Sequence, residues 1–270
     1  MSANSLPRRI VKKLLVPYPR LREYLQTIAM AKDIYTGEWA IKNEPEIFWI
    51  KSIMKPGDVA IDVGANYGLY TYNLSKAVGD NGFVYAFEPI PYTFRTLKRI
   101  IRLFRLNNVQ LINKGCSDSK GKIKFSVPLQ ENGTISAGLA FIDMDEKNRS
   151  TRLNKGEHSG TITIESEIVK IDDLNYKNVS FMKVDVEGAE LMVLKGAIKT
   201  IKKSRPVVMI EIEDRWIESY DIKRKDISNF FSELNYQTHY YFNKKLIKCD
   251  INYTKSNNLI FIPHEHKIIE

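Results

Sequence analysis

Between residues 59 and 113 the chain carries three short, nearly unbroken apolar runs: VAIDV at 59–63, FVYAF at 83–87 and VQLIN at 109–113. Strands that read apolar without alternation are covered on both faces, and that burial calls for helices on both sides of a parallel sheet. The intervening segments supply them, with a helical period from the GANYG turn to about residue 78 and a basic amphipathic helix at about 92–106. The pattern returns with SFMKV at 180–184, a helix from about 189 to 202, and VVMIEI at 207–212 behind Pro206. A helix at about 225–234 precedes HYYF and LIFI, which lie too close in sequence for a helical crossover, so they are expected to pair antiparallel at the end of the sheet. The expected fold class is α/β, a doubly wound, mostly parallel sheet with an antiparallel terminal hairpin.

Patterning changes at Pro56-Gly57, which divides an N-terminal basic, helical extension (1–55) from the main domain (56–270). Regularity lapses between about 114 and 178. There IKFSV (123–127) and TITIESEIV (161–169) alternate as half-buried strands, and they flank a polar, glycine-bearing stretch at about 128–160. A loop this long inside a compact domain is usually functional, and this one is expected to be a substrate lid. The 270 residues are 43% hydrophobic, enough for a sizeable core. The only cysteines, Cys116 and Cys249, are too few for a disulfide framework or a CxxC site, which fits a reducing compartment. No apolar run approaches the ~20 residues of a membrane span, and charges interrupt the apolar residues of MSANSLPRRIVKKLLVPYPR, so no secretory h-region is read there. A cytoplasmic location is expected, with peripheral contact to a membrane.

The net charge is +9, unevenly spread. Residues 1–22 hold Arg8, Arg9, Lys12, Lys13, Arg20 and Arg22 without an acid, beside Leu6, Ile10, Leu14 and Leu15, the stripe of a short basic amphipathic helix suited to an anionic membrane surface. Arg95, Lys98, Arg99, Arg102 and Arg105 form a second acid-free run at helical spacing. Such runs attract anionic partners or simply solvate a helix face.

The turn Asp62-Val63-Gly64-Ala65-Asn66-Tyr67-Gly68 ends the first strand, where open α/β sheets bind ligands, and Gly64 lets backbone approach one closely. It is not the GxGxxG fingerprint, because Asn66 stands where backbone would crowd a pyrophosphate. An acid before the turn suits a cation better than a phosphate. The second strand ends in Phe87-Glu88-Pro89, which places a carboxylate to chelate both hydroxyls of a ribose. Adenosine without phosphate, carried on a cation, describes S-adenosylmethionine. As a strand-end acid, Glu88 is expected to add little to core packing.

DVGANYG, AFEPIP, NKGCSDSKG, FMKVDVEGAELMVLKGA and NNLIFIP occur in the order seen in the FkbM-type methyltransferase family, and the chain resembles that family from about residue 55 to 263. The resemblance implies a class I methyltransferase, Rossmann-like fold, S-adenosylmethionine as donor, and O-methylation of a hydroxyl on a carbohydrate or other small-molecule or glycan acceptor. It carries cofactor binding onto Asp62, Gly64, Asn66, Tyr67, Gly68 and Glu88, with Ser117 and Asp118 near the adenine.

Methyl transfer to a hydroxyl needs an aligned oxygen, a proton acceptor and exclusion of water. The fourth and fifth strands of the pattern end in Lys183-Val184-Asp185-Val186-Glu187 and Glu211-Ile212-Glu213. Period two places Asp185 with Glu187, if extended geometry persists, and Glu211 with Glu213. Crowded carboxylates raise one another's pKa, which makes a useful base near neutrality. The expected catalytic set is Asp185 near the methyl group with Glu187 or Glu211 as base, and His158 as the alternative. No metal is expected, since the acids give no octahedral set. Asp185 is also a candidate N-cap of the following helix, and Glu190 is read as a capping residue. Two other readings stand beside this one: an RNA 2′-O-methyltransferase, disfavoured because aromatic residues are not interleaved with the basic runs, and a non-catalytic nucleotide-binding module, which would not need the acids.

Overall fold

The computed structural model describes residues 18–130, 140–143, 158–254 and 256–266. Twelve strands occur among them: β1 Val59–Val63, β2 Phe83–Phe87, β3 Val109–Ile112, β4 Gly115–Cys116, β5 Gly121–Gln130, β6 Phe141–Ile142, β7 His158–Val169, β8 Val179–Val184, β9 Val207–Glu211, β10 Tyr236–Phe242, β11 Lys245–Lys248 and β12 Asn258–Pro263. Eight form the main sheet in the order β3-β2-β1-β8-β9-β12-β10-β11. The first five in that order are mutually parallel. This is the doubly wound α/β fold expected, and the order reverses at β1, whose neighbours are β2 on one side and β8 on the other.

HYYF and LIFI pair antiparallel, with His239 opposite Ile260. The arrangement is not a plain terminal hairpin, however, because β12 inserts between β9 and β10 and an additional strand, β11, takes the edge. Burial explains both placements. Leu259, Ile260, Phe261 and Ile262 are at most 3% exposed, so the run needs cover on both faces and strands on both sides. Lys245 and Lys248 bracket β11 with exposed charge, which suits an edge strand.

Alternation along the central strands sorts their side chains onto two faces. Ile61, Val63, Met182, Val184, Val208 and Ile210 meet Leu194, Ile201, Ile227 and Phe231 on one side. Ala60, Phe181, Val207 and Met209 meet Leu74 and Val78 of the helix Leu69–Val78 on the other, together with Ile47, Trp49 and Ile50 of Glu46–Ile53. The N-terminal helices therefore complete the cover of one sheet face. The first of them, Pro19–Thr36, lies on Pro91–Leu103, where Glu23 pairs with Arg95 at 3.1 Å and Arg99 at 2.9 Å. Two cations of the second basic run are thus already partnered.

The irregular region builds a second sheet, β4-β7-β5-β6. Its long β5–β7 pairing runs from Gly121 opposite Ile168 to Gln130 opposite His158. Both ends of the expected lid, 128–130 and 158–160, are therefore strand, and Phe141–Ile142 docks on β5. Residues 131–139 and 144–157 of that stretch lie outside the described residues, as do residues 1–17 of the basic N-terminus.

The single helix expected at 189–202 is two helices, Glu190–Gly196 and Ile198–Ser204. The carboxylate of Asp172 caps the second, accepting the Lys199 and Thr200 amides at 2.9 and 2.8 Å. Gly196 closes the first against the chain after β4, where an added Cβ would stand 2.0 Å from the Ser117 carbonyl oxygen. An alanine ordinarily gains up to ~1 kcal/mol over glycine in a helix. Here the sign reverses, and Gly196→Ala should lower unfolding free energy by about 1–3 kcal/mol through backbone overlap, read from urea titration.

Candidate functional site

At the switch point β1 runs into the turn Gly64–Gly68, and its geometry depends on glycine. Gly64 has φ +79°, and a Cβ there would lie 1.8 Å from the Asp185 carbonyl oxygen. The Gly64 and Ala65 amides donate to the Phe87 carbonyl at 3.1 and 2.9 Å, and the Asp185 amide donates to the Val63 carbonyl at 3.1 Å. The C-terminal ends of β2, β1 and β8 are thereby tied side by side. Gly68, at φ +91°, opens the helix Leu69–Val78 and packs where a Cβ would meet Leu97 at 2.4 Å.

Two cavities meet over this turn and share Gly64, Asn66 and Asp185 in their linings. The first lies toward β2 and the second sheet, among Glu88, Ile90, Cys116, Phe125, Ile142 and Glu187. The second, of about 270 Å³, lies between the turn and the N-terminal helices, among Trp39, Glu44, Tyr67, Tyr70 and Lys183. The Oδ1 atom of Asn66 is buried and has no hydrogen-bond partner. A buried acceptor with no donor is costly, so its position between the cavities fits a ligand that supplies one.

Glu88 is buried, with Oε2 accepting the Asn66 amide and Oε1 the Ile90 amide, each at 2.9 Å. Burial pushes its carboxyl up to about 8 in spite of those two bonds. The expectation that this acid adds little to the fold is corrected, because its removal would strip acceptors from two turn amides. Each oxygen keeps a further lone pair for a ligand in the first cavity.

Asp62 does not line either cavity. It is fully buried, accepts the Thr71 hydroxyl at 2.6 Å and lies opposite Lys183 in the β1–β8 register. Alternation puts Asp62, Lys183 and Glu211 on the same sheet face, and Lys183 donates to Asp185 at 2.7 Å while lying 4.4 Å from the centre of the Tyr70 ring. Burial opposes the Lys183 charge, but Asp185 and Asp62 outweigh it and hold the ammonium above its ordinary range. This lysine was not singled out from the sequence, although a charge inside the apolar run SFMKV was the available signal.

Tyr67 lines the second cavity, and its hydroxyl accepts from Gln26 at 2.9 Å. Ser117 is buried behind Gly196 and Asp118 is exposed; neither lines either of these two cavities, and Cys116 lines the first one instead. Burial holds the Cys116 thiol well above its ordinary range.

The acids after β8 and β9 converge, though not through period two. Extended geometry ends at Val184, and Glu187 turns back with φ +56° before Gly188 at φ +108°. Asp185 is not the N-cap of the next helix, which Ala189 occupies. Glu190 holds the turn by accepting the Gly188 amide at 2.9 Å and the Val186 amide at 3.2 Å. Burial, then repulsion from Asp185, pushes Glu211 up to about 8 and holds Glu187 well above the carboxylate range, while burial pushes Glu190 up to about 7. The backbone of His158 is in β7, and its side chain lies outside the described residues.

A family model described as the methyltransferase FkbM domain matches residues 62–238. Hexuronic acid methyltransferase AglP of Haloferax volcanii is 31% identical over 255 residues, covering 85% of this chain and 91% of that protein. Methyltransferase 1 of Beauveria bassiana is 29% identical over 146 residues, covering 50% of this chain and 57% of that protein, and methyltransferase sdnD of Sordaria araneosa is 27% identical over 158 residues, covering 50% and 59%. The chain thus spans a little under three fifths of the length of these two fungal relatives. Among solved structures, methyltransferase FkbM from Methylobacillus flagellatus superposes with a TM-score of 0.48 at 16% identity, covering 89% of this chain and 59% of that one.

Glu88, Glu190 and Glu211 all titrate above the ordinary 4.5 of a glutamate. The folded chain therefore holds protons that the unfolded chain has released, from about pH 4.5 to about 8, and stability is lost as pH rises through that window. Thermal scans of the ligand-free protein should show a melting temperature falling between pH 5.5 and 8.5. Glu211→Gln, which keeps the shape without the titrating charge, should flatten part of that fall.

Proposed function

Because the chain belongs to the FkbM methyltransferase family, we propose that it uses S-adenosylmethionine to methylate a hydroxyl of a carbohydrate, most directly a uronic-acid-bearing glycan. The observation that carries the donor reading is the pair of cavities joined over Gly64, with Glu88 on one side and a cluster of acids answered by Lys183 on the other. An elongated ligand with a ribose at one end and positive charge along its length suits that shape. Glu88 would receive the ribose hydroxyls, Asn66 a donor group between the cavities, and the second cavity the amino-acid end. When bound, this donor would supply a methyl group on a sulfonium, with a neutral thioether as the leaving group when the methyl passes to the acceptor oxygen.

The chain's own part is to orient the acceptor and take its proton. We assign Glu211 as the base, with Asp185 as its hydrogen-bonded neighbour and Glu187 beside them. Asp185 is engaged by Lys183 at 2.7 Å, whereas Glu211 stands at the C-terminal end of β9, and its pKa of about 8 is near that of an efficient base at neutral pH. The carbohydrate reading rests on the hexuronic acid methyltransferase of Haloferax volcanii, 91% of whose length this chain covers. The net charge of +9 favours the approach of an anionic acceptor.

Glu211→Gln should retain binding of S-adenosylhomocysteine and lose ~10²–10⁴-fold in turnover. The wild-type rate should rise through about pH 8, a limb the variant lacks. Transfer of labelled methyl to a panel of uronic acid glycosides, neutral glycosides and RNA tests the acceptor, and transfer to RNA alone would replace the carbohydrate reading.

We also propose that residues 1–22 bring the enzyme to an anionic membrane surface, which a lipid-borne glycan acceptor would share. Support comes from the first helix, where Leu21, Tyr24, Leu25, Ile28 and Tyr35 are exposed at helical spacing, each between 41% and 74%. Changing Arg8, Arg9, Lys12 and Lys13 to Gln should weaken co-sedimentation with phosphatidylglycerol vesicles and leave phosphatidylcholine vesicles unaffected.

A further inference from the structure

The second cavity is walled in part by residues that precede the sheet, and one of them, Glu44, is a carboxylate that makes no salt bridge among the described residues. The charged residues of its lining are Asp33, Glu44, Lys183 and Asp185. Lys183 and Asp185 answer each other at 2.7 Å, and Asp33 is exposed. Glu44 is half-buried and fixed by two neutral donors that both reach Oε2, the Tyr70 hydroxyl at 2.7 Å and the Asn258 amide at 3.0 Å. Tyr70 comes from the helix behind Gly68, and Asn258 starts β12, opposite Glu211. Neutral donors hold a carboxylate in place without consuming its charge, so Glu44 faces the cavity as a positioned anion.

Resting on the reading that the donor is S-adenosylmethionine with its amino-acid end in this cavity, we propose that Glu44 binds the ammonium group of that end. The N-terminal segment then belongs to the donor site and is more than a cover for the sheet. Its neighbour Glu46 shares the Asn258 amide and is buried to 4% exposure. Burial, and after it the charge of Glu44, pushes Glu46 up to about 7. Tyr70 stays a hydrogen-bond donor, since burial holds its hydroxyl well above the ordinary range.

Two ligands separate this role from a structural one. S-adenosylhomocysteine carries the ammonium group, and 5′-methylthioadenosine has the same adenosine and sulfur without the amino-acid end. In titration calorimetry Glu44→Gln, which can still accept from Tyr70, should weaken S-adenosylhomocysteine about 10- to 100-fold and leave 5′-methylthioadenosine unchanged. Glu44→Asp, which keeps the charge on a shorter arm, should give a smaller loss for S-adenosylhomocysteine alone, and it serves if the glutamine variant does not fold. Equal losses for both ligands, or no loss for either, would overturn the assignment. A wild-type protein that binds neither ligand would overturn the donor reading itself.

Discussion

Lys183 is the cation on which the candidate site depends. Its side chain is 5% exposed, and an ammonium buried that deeply persists only where opposite charge and hydrogen bonds replace water. Asp185 supplies the bond, Asp62 lies opposite in the neighbouring strand, and the Tyr70 ring covers one side. Glu211, on the same face of β9, also feels this charge, which draws its pKa back down against burial. Without Lys183, Asp62 and Asp185 would face each other across β1 and β8 with no counter-charge, at the place where Gly64 brings the ends of the two strands into contact.

That contact is also why the fold was legible. VAIDV, FVYAF and SFMKV are apolar because both faces are covered, and the glycines at 64 and 68 stand where a side chain would strike Asp185 or Leu97. Alternation sorts side chains onto the two sheet faces only as far as each strand runs, and β8 ends at Val184. One turn later Glu187 adopts a left-handed backbone and reaches its neighbours by a fold-back that no periodicity encodes.

The less legible parts share a cause, which is dependence on partners distant in the chain. Asp172 caps a helix that begins 26 residues later, and Glu44 meets Asn258 across 214 residues. Neither pairing leaves a local pattern. The family resemblance carries cofactor binding onto Asp62, but alternation turns its side chain under the sheet toward Thr71. The same parity argument, applied to Lys183, would have placed a buried cation opposite it.

Charge conservation around the site gives the proposed reaction a physical logic. Glu88, Glu190 and Glu211 are each pushed above an ordinary carboxylate, first by burial and further by the charge of Asp185, which all three feel. A cationic ligand over Gly64 would lower those values and let protons leave, because each carboxylate gains a partner. Methyl transfer then converts a sulfonium to a neutral thioether and removes that positive charge. At the same step the acceptor hydroxyl must give up a proton, and the carboxylates have just regained their affinity for one. On this reading the clustering of acids that costs the ligand-free fold its stability at high pH also makes Glu211 a stronger base as the reaction proceeds.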